Sequence, residues 1–125
     1  MSGPILVVDD DIGIRTTMTR ILEDAGHLVY SATDGLDALA ALDGLFPALI
    51  LLDLAMPRMD GWAFVAELER LELRSKIPVV VLTADGRAQG KAEQLHAEGY
   101  LPKPFNVEHL LEIVARRIRP STEPG

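Results

Sequence analysis

Polar side chains that are suited to phosphoryl chemistry follow four apolar runs of this sequence. The runs span residues 5–8, 49–52, 79–82 and 100–102, and the polar residues after them are Asp9, Asp10, Asp11, Asp53, Thr83 and Lys103. The carboxyl ends of parallel strands lie along one edge of an open sheet, which is where ligand sites form. Carboxylates, a hydroxyl and an ammonium at one edge predict a divalent-metal site that handles a phosphoryl group.

The elements that must position these residues alternate between strand and helix. The runs 49–52 and 79–82 are apolar at every position, as is typical of parallel strands that helices cover on both faces. We predict strands over 5–8, 28–32, 49–53, 79–83 and 99–102, and helices over 12–25, 36–42, 62–71, 89–96 and from the cap Asn106 to 118. This order predicts a three-layer (βα)5 doubly wound α/β sandwich.

Length, charge and composition exclude several classes of protein. The 125 residues are enough for one domain with its own core, and the absence of cysteine excludes disulfides and thiolate metal sites. The net charge of −7 argues against nucleic-acid binding by this domain. No apolar run reaches the length of a membrane span, and the first residues do not resemble a signal peptide. We therefore expect a cytoplasmic protein that does not contact membranes.

Each acidic residue also has a simpler interpretation. Aspartate is a preferred helix N-cap, so the run from Asp9 to Asp11 could serve only as a cap for the first helix. One aspartate is enough for a cap, however, and three in a row favour a hard cation such as Mg²⁺ held by oxygen ligands. Asp53 could simply begin a turn, or it could act as a nucleophile that forms an aspartyl phosphate.

Thr83 and Lys103 likewise allow two interpretations. Thr83 could be an ordinary β-branched strand residue, or its hydroxyl could donate to a phosphoryl oxygen. A lone lysine is most often a solvated surface charge. Lys103 lies between Pro102 and Pro104, which favours a stiffly held site residue, and its bond to Pro104 is a candidate cis peptide.

Four motifs, taken together and in order, resemble the receiver domain of bacterial two-component response regulators of the chemotaxis type. They are Val7-Val8-Asp9-Asp10-Asp11, the stretch from Leu52-Asp53 to Asp60-Gly61, Leu82-Thr83-Ala84, and Tyr100-Leu101-Pro102-Lys103-Pro104-Phe105. The resemblance covers residues 4–118, and residues 119–125 are expected to be a tail or the start of a linker. It implies a flavodoxin-like fold with parallel strand order 2-1-3-4-5.

The resemblance also implies a role for each site residue. Asp53 resembles the phosphoacceptor, and Asp9 and Asp10 resemble the acidic pair that binds Mg²⁺, for which Mn²⁺ can substitute. Asp53 itself and the backbone carbonyl of Ala55 would be further metal ligands. Asp11 lies outside the usual pair and is expected to be a cap. Lys103 resembles the lysine that pairs with the phosphoryl group.

The switch residues and partners follow from the same resemblance. Thr83 and the amide of Ala84 would bind phosphoryl oxygens, and Tyr100 resembles the aromatic switch that responds to Thr83, although it could be an ordinary half-buried strand residue. The donor would be a phosphohistidine on a sensor histidine kinase or a histidine phosphotransfer protein. The output partner is unknown, and the expected output surface comprises helix 4, strand 5 and helix 5, with a phosphorylation-dependent homodimer as one possible form of output.

Two other functional classes compete with this prediction. A phosphorylation-incompetent receiver-like interaction module would share the fold. An aspartate-nucleophile phosphatase would need a second acid two residues after Asp53, where this chain has Ala55. We therefore expect no enzymatic activity beyond the domain's own phosphorylation and dephosphorylation.

The region after the fourth strand departs from the family pattern. Thr83 and Lys103 are 20 residues apart, a spacing slightly shorter than expected. Gly86 and Gly90 weaken the predicted fourth helix, and His96 occupies a position where glycine is expected. Asp85 and Ala55 are expected to tune the lifetime of the phosphoryl group.

Overall fold

The parallel sheet has the predicted strand order. The computed structural model describes residues 3–84 and 86–118. Its five strands are β1 (Ile5–Val8), β2 (Val29–Ala32), β3 (Leu49–Asp53), β4 (Val79–Thr83) and β5 (Gly99–Pro102). They form one parallel sheet in the order β2-β1-β3-β4-β5. This confirms the doubly wound α/β fold.

Five helices connect and follow the strands within the described residues. They are α1 (Ile12–Asp24), α2 (Gly35–Ala41), α3 (Gly61–Arg70), α4 (Ala88–Leu95) and α5 (Val107–Ala115). Four strands have the predicted bounds, and most other ends differ from the prediction by one residue. The largest difference is at α5, which ends at Ala115 although the apolar pattern continues to Ile118. Ile118 is nevertheless buried, since the chain packs against the core beyond the last helical turn.

The two faces of the sheet bury separate apolar layers, because side chains alternate along each strand. One layer joins β1 and β3 to α2, α3 and α4 through side chains that include Ala38, Phe64, Leu68, Ala92 and Leu95. The other joins the sheet to α1 and α5 through side chains that include Met18, Leu22, Leu110 and Val114. These layers hold the strand ends, and therefore the side chains that follow them, at fixed positions.

Side-chain caps begin four of the helices. Asp11, Asp34, Asp60 and Asn106 each accept a hydrogen bond from a backbone N–H in the first turn of α1, α2, α3 and α5. By contrast, α4 begins after Arg87 without a side-chain cap hydrogen bond. It ends at His96, which has φ 53° and so adopts the left-handed conformation for which glycine was expected.

Three further expectations concern the ends and loops of the chain. The Lys103–Pro104 peptide bond is cis, as predicted. Asp85 and the predicted tail over residues 119–125 lie outside the described residues. No helix in the described part of the chain combines the length and the apolar character needed to cross a membrane.

Candidate functional site

The strand register brings the predicted site residues to one edge of the sheet. Val8 pairs with Leu52, so the residues that follow these two, Asp9 and Asp53, are neighbours. Across the next interfaces, Asp53 pairs with Leu82, and Thr83 pairs with Pro102. Residues from β1, β3, β4 and β5 therefore meet at the carboxyl edge, as the sequence predicted.

Three carboxylates form a cluster with metal-binding spacing. Asp9, Asp10 and Asp53 each place a carboxylate oxygen within 4.8 Å of the others. Asp9 and Asp53 are buried, whereas Asp10 is exposed to solvent. Hard oxygen donors, one of them open to water, fit a divalent cation such as Mg²⁺, which keeps several waters when it binds to proteins.

Lys103 provides the positive charge in this cluster. Its Nζ lies 2.7 Å from Oδ2 of Asp9 and 3.5 Å from Oδ1 of Asp53, and its side chain is only 14% exposed. The backbone N–H of Lys103 donates to the carbonyl of Thr83 at 2.9 Å, which fixes the start of the loop after β5. The ammonium group therefore bridges the two buried acids rather than pointing into solvent.

The electrostatic environment makes Asp53 an unusual carboxylate. Burial, together with the charge of Asp9, raises the pKa of Asp53 from 3.8 to about 6, while Lys103 and the N–H of Ala55 oppose the rise. Burial alone would lower the pKa of Lys103, but its hydrogen bond to Asp9 and the charges of both acids raise it. A nearby cation or a covalent modification would offset the unfavourable free energy of this buried carboxylate charge.

Thr83 and Ala55 border the same depression as the exposed acid Asp10. The depression is lined by Asp10, Leu54, Ala55, Met56, Pro57, Asp60, Trp62, Thr83 and Lys91. Thr83 is buried, whereas Ala55 and Ala84 are exposed at the starts of their loops. The depression therefore opens beside the carboxylate cluster, of which Asp10 is the exposed member.

Tyr100 lies apart from the carboxylate cluster. It pairs with Val81 on β4, two positions before the end of the strand, and is half-buried against the α2–α3–α4 side of the core. The structure therefore places Tyr100 against the α2–α3–α4 side of the core rather than at the site. Its role as a switch remains a prediction.

Backbone contacts hold the acidic residues that follow β1. The carboxylate of Asp9 accepts from the N–H of Asp11, and the carboxylate of Asp11 accepts from the N–H of Ile14, as predicted for a cap. Arg15 donates from Nη1 to the carbonyl of Asp9 at 2.7 Å. The sequence prediction missed Arg15. It follows the cap residue Asp11 by about one helical turn, and this spacing places it next to the end of β1.

A second arginine contact was also missed. Arg58, in the loop after β3, donates from Nε to Oδ2 of Asp34 at 2.6 Å. By itself, the sequence Thr33-Asp34-Gly35 is typical of a turn and a helix cap. Because 24 residues separate the partners, no local pattern in the sequence indicates their contact.

Comparison with known proteins agrees with the fold. The family model for the response regulator receiver domain matches residues 5–115, within the predicted 4–118 domain. The DNA-binding dual master transcriptional regulator RpaA of Synechocystis is 41% identical over 117 residues, which are 92% of this chain and 48% of RpaA. The DNA-binding transcriptional regulator NtrC of Salmonella typhimurium is 37% identical over 93% of this chain and 25% of NtrC. The chain thus spans less than half of the length of these two curated relatives.

Two solved structures match this chain over nearly the whole length of both proteins. Chemotaxis response regulator CheY4 of Vibrio cholerae superposes with a TM-score of 0.84 at 34% identity, covering 94% of this chain and all of that one. The receiver domain of NtrX from Brucella abortus gives a TM-score of 0.83 at 33% identity, covering 91% of this chain and 97% of that one. With the family model matching nearly the whole chain, this protein belongs to the response regulator receiver domains of two-component systems.

Proposed function

We propose that this domain is a phosphorylation-controlled switch that accepts a phosphoryl group on Asp53 in a Mg²⁺-dependent reaction. The observation that carries the proposal is the cluster of Asp9, Asp10 and Asp53 with the ammonium of Lys103 bridging the two buried acids. Phosphoryl transfer depends mainly on positioning and charge neutralisation, and this cluster is suited to both.

Asp53 is the nucleophile in this mechanism. A carboxylate oxygen of Asp53 attacks phosphorus, an oxygen–phosphorus bond forms, and the bond from phosphorus to the donor imidazole nitrogen breaks. With a pKa of about 6, Asp53 is mostly ionised at neutral pH and can attack without a separate base. The donor is a phosphohistidine on a sensor histidine kinase or a histidine phosphotransfer protein.

Groups on either side of Asp53 offset the charge that collects there. Asp9, Asp10, Asp53 and the backbone carbonyl of Ala55 would hold Mg²⁺ or Mn²⁺, and a bound ion would neutralise charge on the transferring group. Lys103, which faces Asp53 already, pairs with the phosphoryl group from the other side. Thr83 and the N–H of Ala84 bind its remaining oxygens.

The signal passes from the site through β4 and β5. Movement of Thr83 toward the phosphoryl group changes the packing around Tyr100 and alters the surface formed by α4, β5 and α5. The output partner binds that surface, or a second copy of the domain does. We assign the domain no enzymatic activity beyond its own phosphorylation and dephosphorylation, and we place it in the cytoplasm.

Relatives that include DNA-binding regulators are much longer than this chain. Because the chain carries a net charge of −7, we propose that the receiver domain itself does not bind nucleic acid. Its contribution to such a regulator would be control, exerted through the output surface.

Intact mass spectrometry tests the proposed phosphorylation. The protein is incubated with acetyl phosphate in the presence and absence of Mg²⁺, and Asp53→Asn serves as a control of nearly the same shape. We expect the mass gain of one phosphoryl group only when both Mg²⁺ and Asp53 are present. A folded protein that gains no mass would instead be a receiver-like interaction module.

A further inference from the structure

The loop after β3 is attached to the beginning of α2. Arg58 donates from Nε to Oδ2 of Asp34 at 2.6 Å, and the N–H of Gly35 donates to the carbonyl of Met59 at 2.9 Å. These four residues, which we call the α2 latch, join a helix that carries no site residue to the loop that carries Ala55.

The latch is closely fitted. A Cβ built on Gly35 would lie 2.5 Å from Cγ and 2.8 Å from the carbonyl oxygen of Met59, so only glycine allows this approach. Arg58 has φ 62°, in the left-handed region that a residue with a side chain rarely adopts. A backbone held in such a conformation requires surrounding contacts that favour it.

Asp34 serves two elements at once. Its Oδ1 accepts from the N–H of Asp37 and caps α2, while its Oδ2 accepts from Arg58. The side chain of Asp34 is only 3% exposed, and the hydrogen bond from Arg58 lowers its pKa. The carboxylate therefore stays charged and ties the loop to a fixed helix end.

The latch restrains the middle of a loop whose end is held separately. Gly61 donates its N–H to the carbonyl of Leu54 at 3.1 Å, and Asp60 caps α3. Ala55, whose carbonyl the proposed function assigns to the metal ion, lies in the loop between Leu54 and the latch residues Arg58 and Met59. We propose that the α2 latch positions this carbonyl, so that Asp34 and Arg58 are positioning residues for Mg²⁺ binding. This inference rests on the proposed function.

A purely electrostatic effect and a positioning effect predict different changes in Mg²⁺ affinity when Arg58 or Asp34 is replaced. If only long-range charge mattered, removing the cation of Arg58 would strengthen Mg²⁺ binding, and removing the anion of Asp34 would weaken it. If the latch positions the loop, both changes weaken binding. The signs of the two effects therefore separate the explanations.

The test is a Mg²⁺ titration of the unphosphorylated protein. Trp62 is the single tryptophan of the chain and lines the same depression as Asp10 and Ala55, so its fluorescence can report binding. Asp34→Asn retains an oxygen for the cap of α2 but loses the charge. Arg58→Asn retains a residue that tolerates the left-handed region but is too short to reach Asp34. Calorimetric titration provides a second measure of the same affinity.

We expect both variants to bind Mg²⁺ more weakly, on the order of tenfold, as is typical when support for a metal ligand is lost. The double variant should bind no more weakly than either single one, because each removes the same contact. As a matched control, Arg70→Ala removes an exposed arginine that contacts Glu67 within α3, and it should leave the affinity unchanged.

Three results would overturn the inference. Unchanged affinity in both variants, with thermal melts showing that they are folded, would mean that the latch does not position the ligand. Changes in Mg²⁺ affinity that have opposite signs in the two variants would mean that long-range charge alone explains them. If the wild-type protein itself does not bind Mg²⁺, the proposed metal site fails and the role of the latch fails with it.

Discussion

The loops that follow β3 and β4 flank the candidate site, and they are held very differently. The β3–α3 loop, residues 54–60, is restrained by Gly61, by the Asp60 cap and by the ion pair between Arg58 and Asp34. In the described part of the β4–α4 loop, α4 begins without a side-chain cap hydrogen bond. A Cβ built on Gly86 or on Gly90 would contact nothing within 4 Å.

This difference matches the two tasks of the phosphorylation switch that we propose. Metal ligands must be held in place before the reaction, and surrounding contacts provide that precision. A segment that changes conformation must be less stable than its surroundings. Thr83 lies between the two loops, so it connects a restrained site to a helix that begins without a side-chain cap hydrogen bond.

The largest effect is expected from adding one methyl group at Gly61, the first residue of α3, where the restrained loop ends. In Gly61→Ala, the new Cβ would lie 2.7 Å from the carbonyl oxygen of Asp53 and 2.8 Å from Cα of Leu54. Backbone atoms cannot move aside as a flexible side chain can, so we expect a loss of about 3 kcal/mol in the free energy of unfolding. Urea denaturation measures this value, and a loss below about 1 kcal/mol would show that the loop is not tightly packed.

A second prediction concerns the pH dependence of stability. The pKa of Asp53 is about 6 in the folded protein, against an ordinary value of 3.8. At pH values between these two, the folded state therefore binds more protons than the unfolded state. The contribution of Asp53 to the free energy of unfolding is therefore fully present at low pH and is lost as pH rises from about 4 to about 6. Asp53→Asn removes this loss.

Thermal melts in a chelating buffer without Mg²⁺ test the sign of this effect. We expect Asp53→Asn to raise the melting temperature by several degrees at neutral pH and to leave it nearly unchanged below the pKa window. A difference between variant and wild type that does not vary with pH would show that burial does not perturb Asp53.

The cap of α3 should make a smaller contribution. Asp60→Ala removes the side-chain oxygen that accepts from the N–H of Ala63, and we expect a loss of about 1 kcal/mol in the free energy of unfolding. Asp60→Asn retains a cap oxygen and should restore most of the stability. Equal losses in both variants would mean that the charge of Asp60, and not its cap hydrogen bond, stabilises the loop.

The smallest expected effect is a gain in the free energy of unfolding. It comes from a substitution in α4, on the other side of Thr83. Gly90 is inside α4, where alanine favours the helix and its Cβ would meet no neighbour within 4 Å. We expect Gly90→Ala to stabilise the protein by about 0.5–1 kcal/mol in urea denaturation. A destabilisation would show that α4 is as closely packed as the loop before α3.

The sequence was most informative where local pattern and tertiary burial agree. The apolar runs predicted the bounds of β1, β3 and β4, because a strand buried on both faces is apolar throughout. The bounds of the edge strand β5, which is only partly buried, also agree with the prediction. The same strands carried Asp9, Asp53, Thr83 and Lys103 to one edge, so topology alone was enough to bring these four together. The caps Asp11 and Asn106 were predicted because a cap is a local signal.

The residues that were missed act over long sequence separations or through the backbone. Arg58 and Asp34 meet only because α2 and the β3–α3 loop are adjacent in the folded chain, and either residue alone is typical of a turn. Arg15 contacts the carbonyl of Asp9, a group that no side-chain pattern marks. His96, by contrast, was identified from the sequence as standing where glycine is expected, and it adopts the left-handed conformation of that turn.

Hydrogen exchange measured by peptide tests the central claim, that phosphorylation at a restrained site alters the segment that contains α4. Wild-type protein and Asp53→Asn are each exchanged with Mg²⁺, with and without acetyl phosphate. We expect the phosphodonor to change exchange in wild-type peptides that cover residues 84–100, to leave residues 54–60 nearly unchanged, and to have no effect on the variant. Changes confined to residues 54–60, or changes that persist in Asp53→Asn, would contradict this claim.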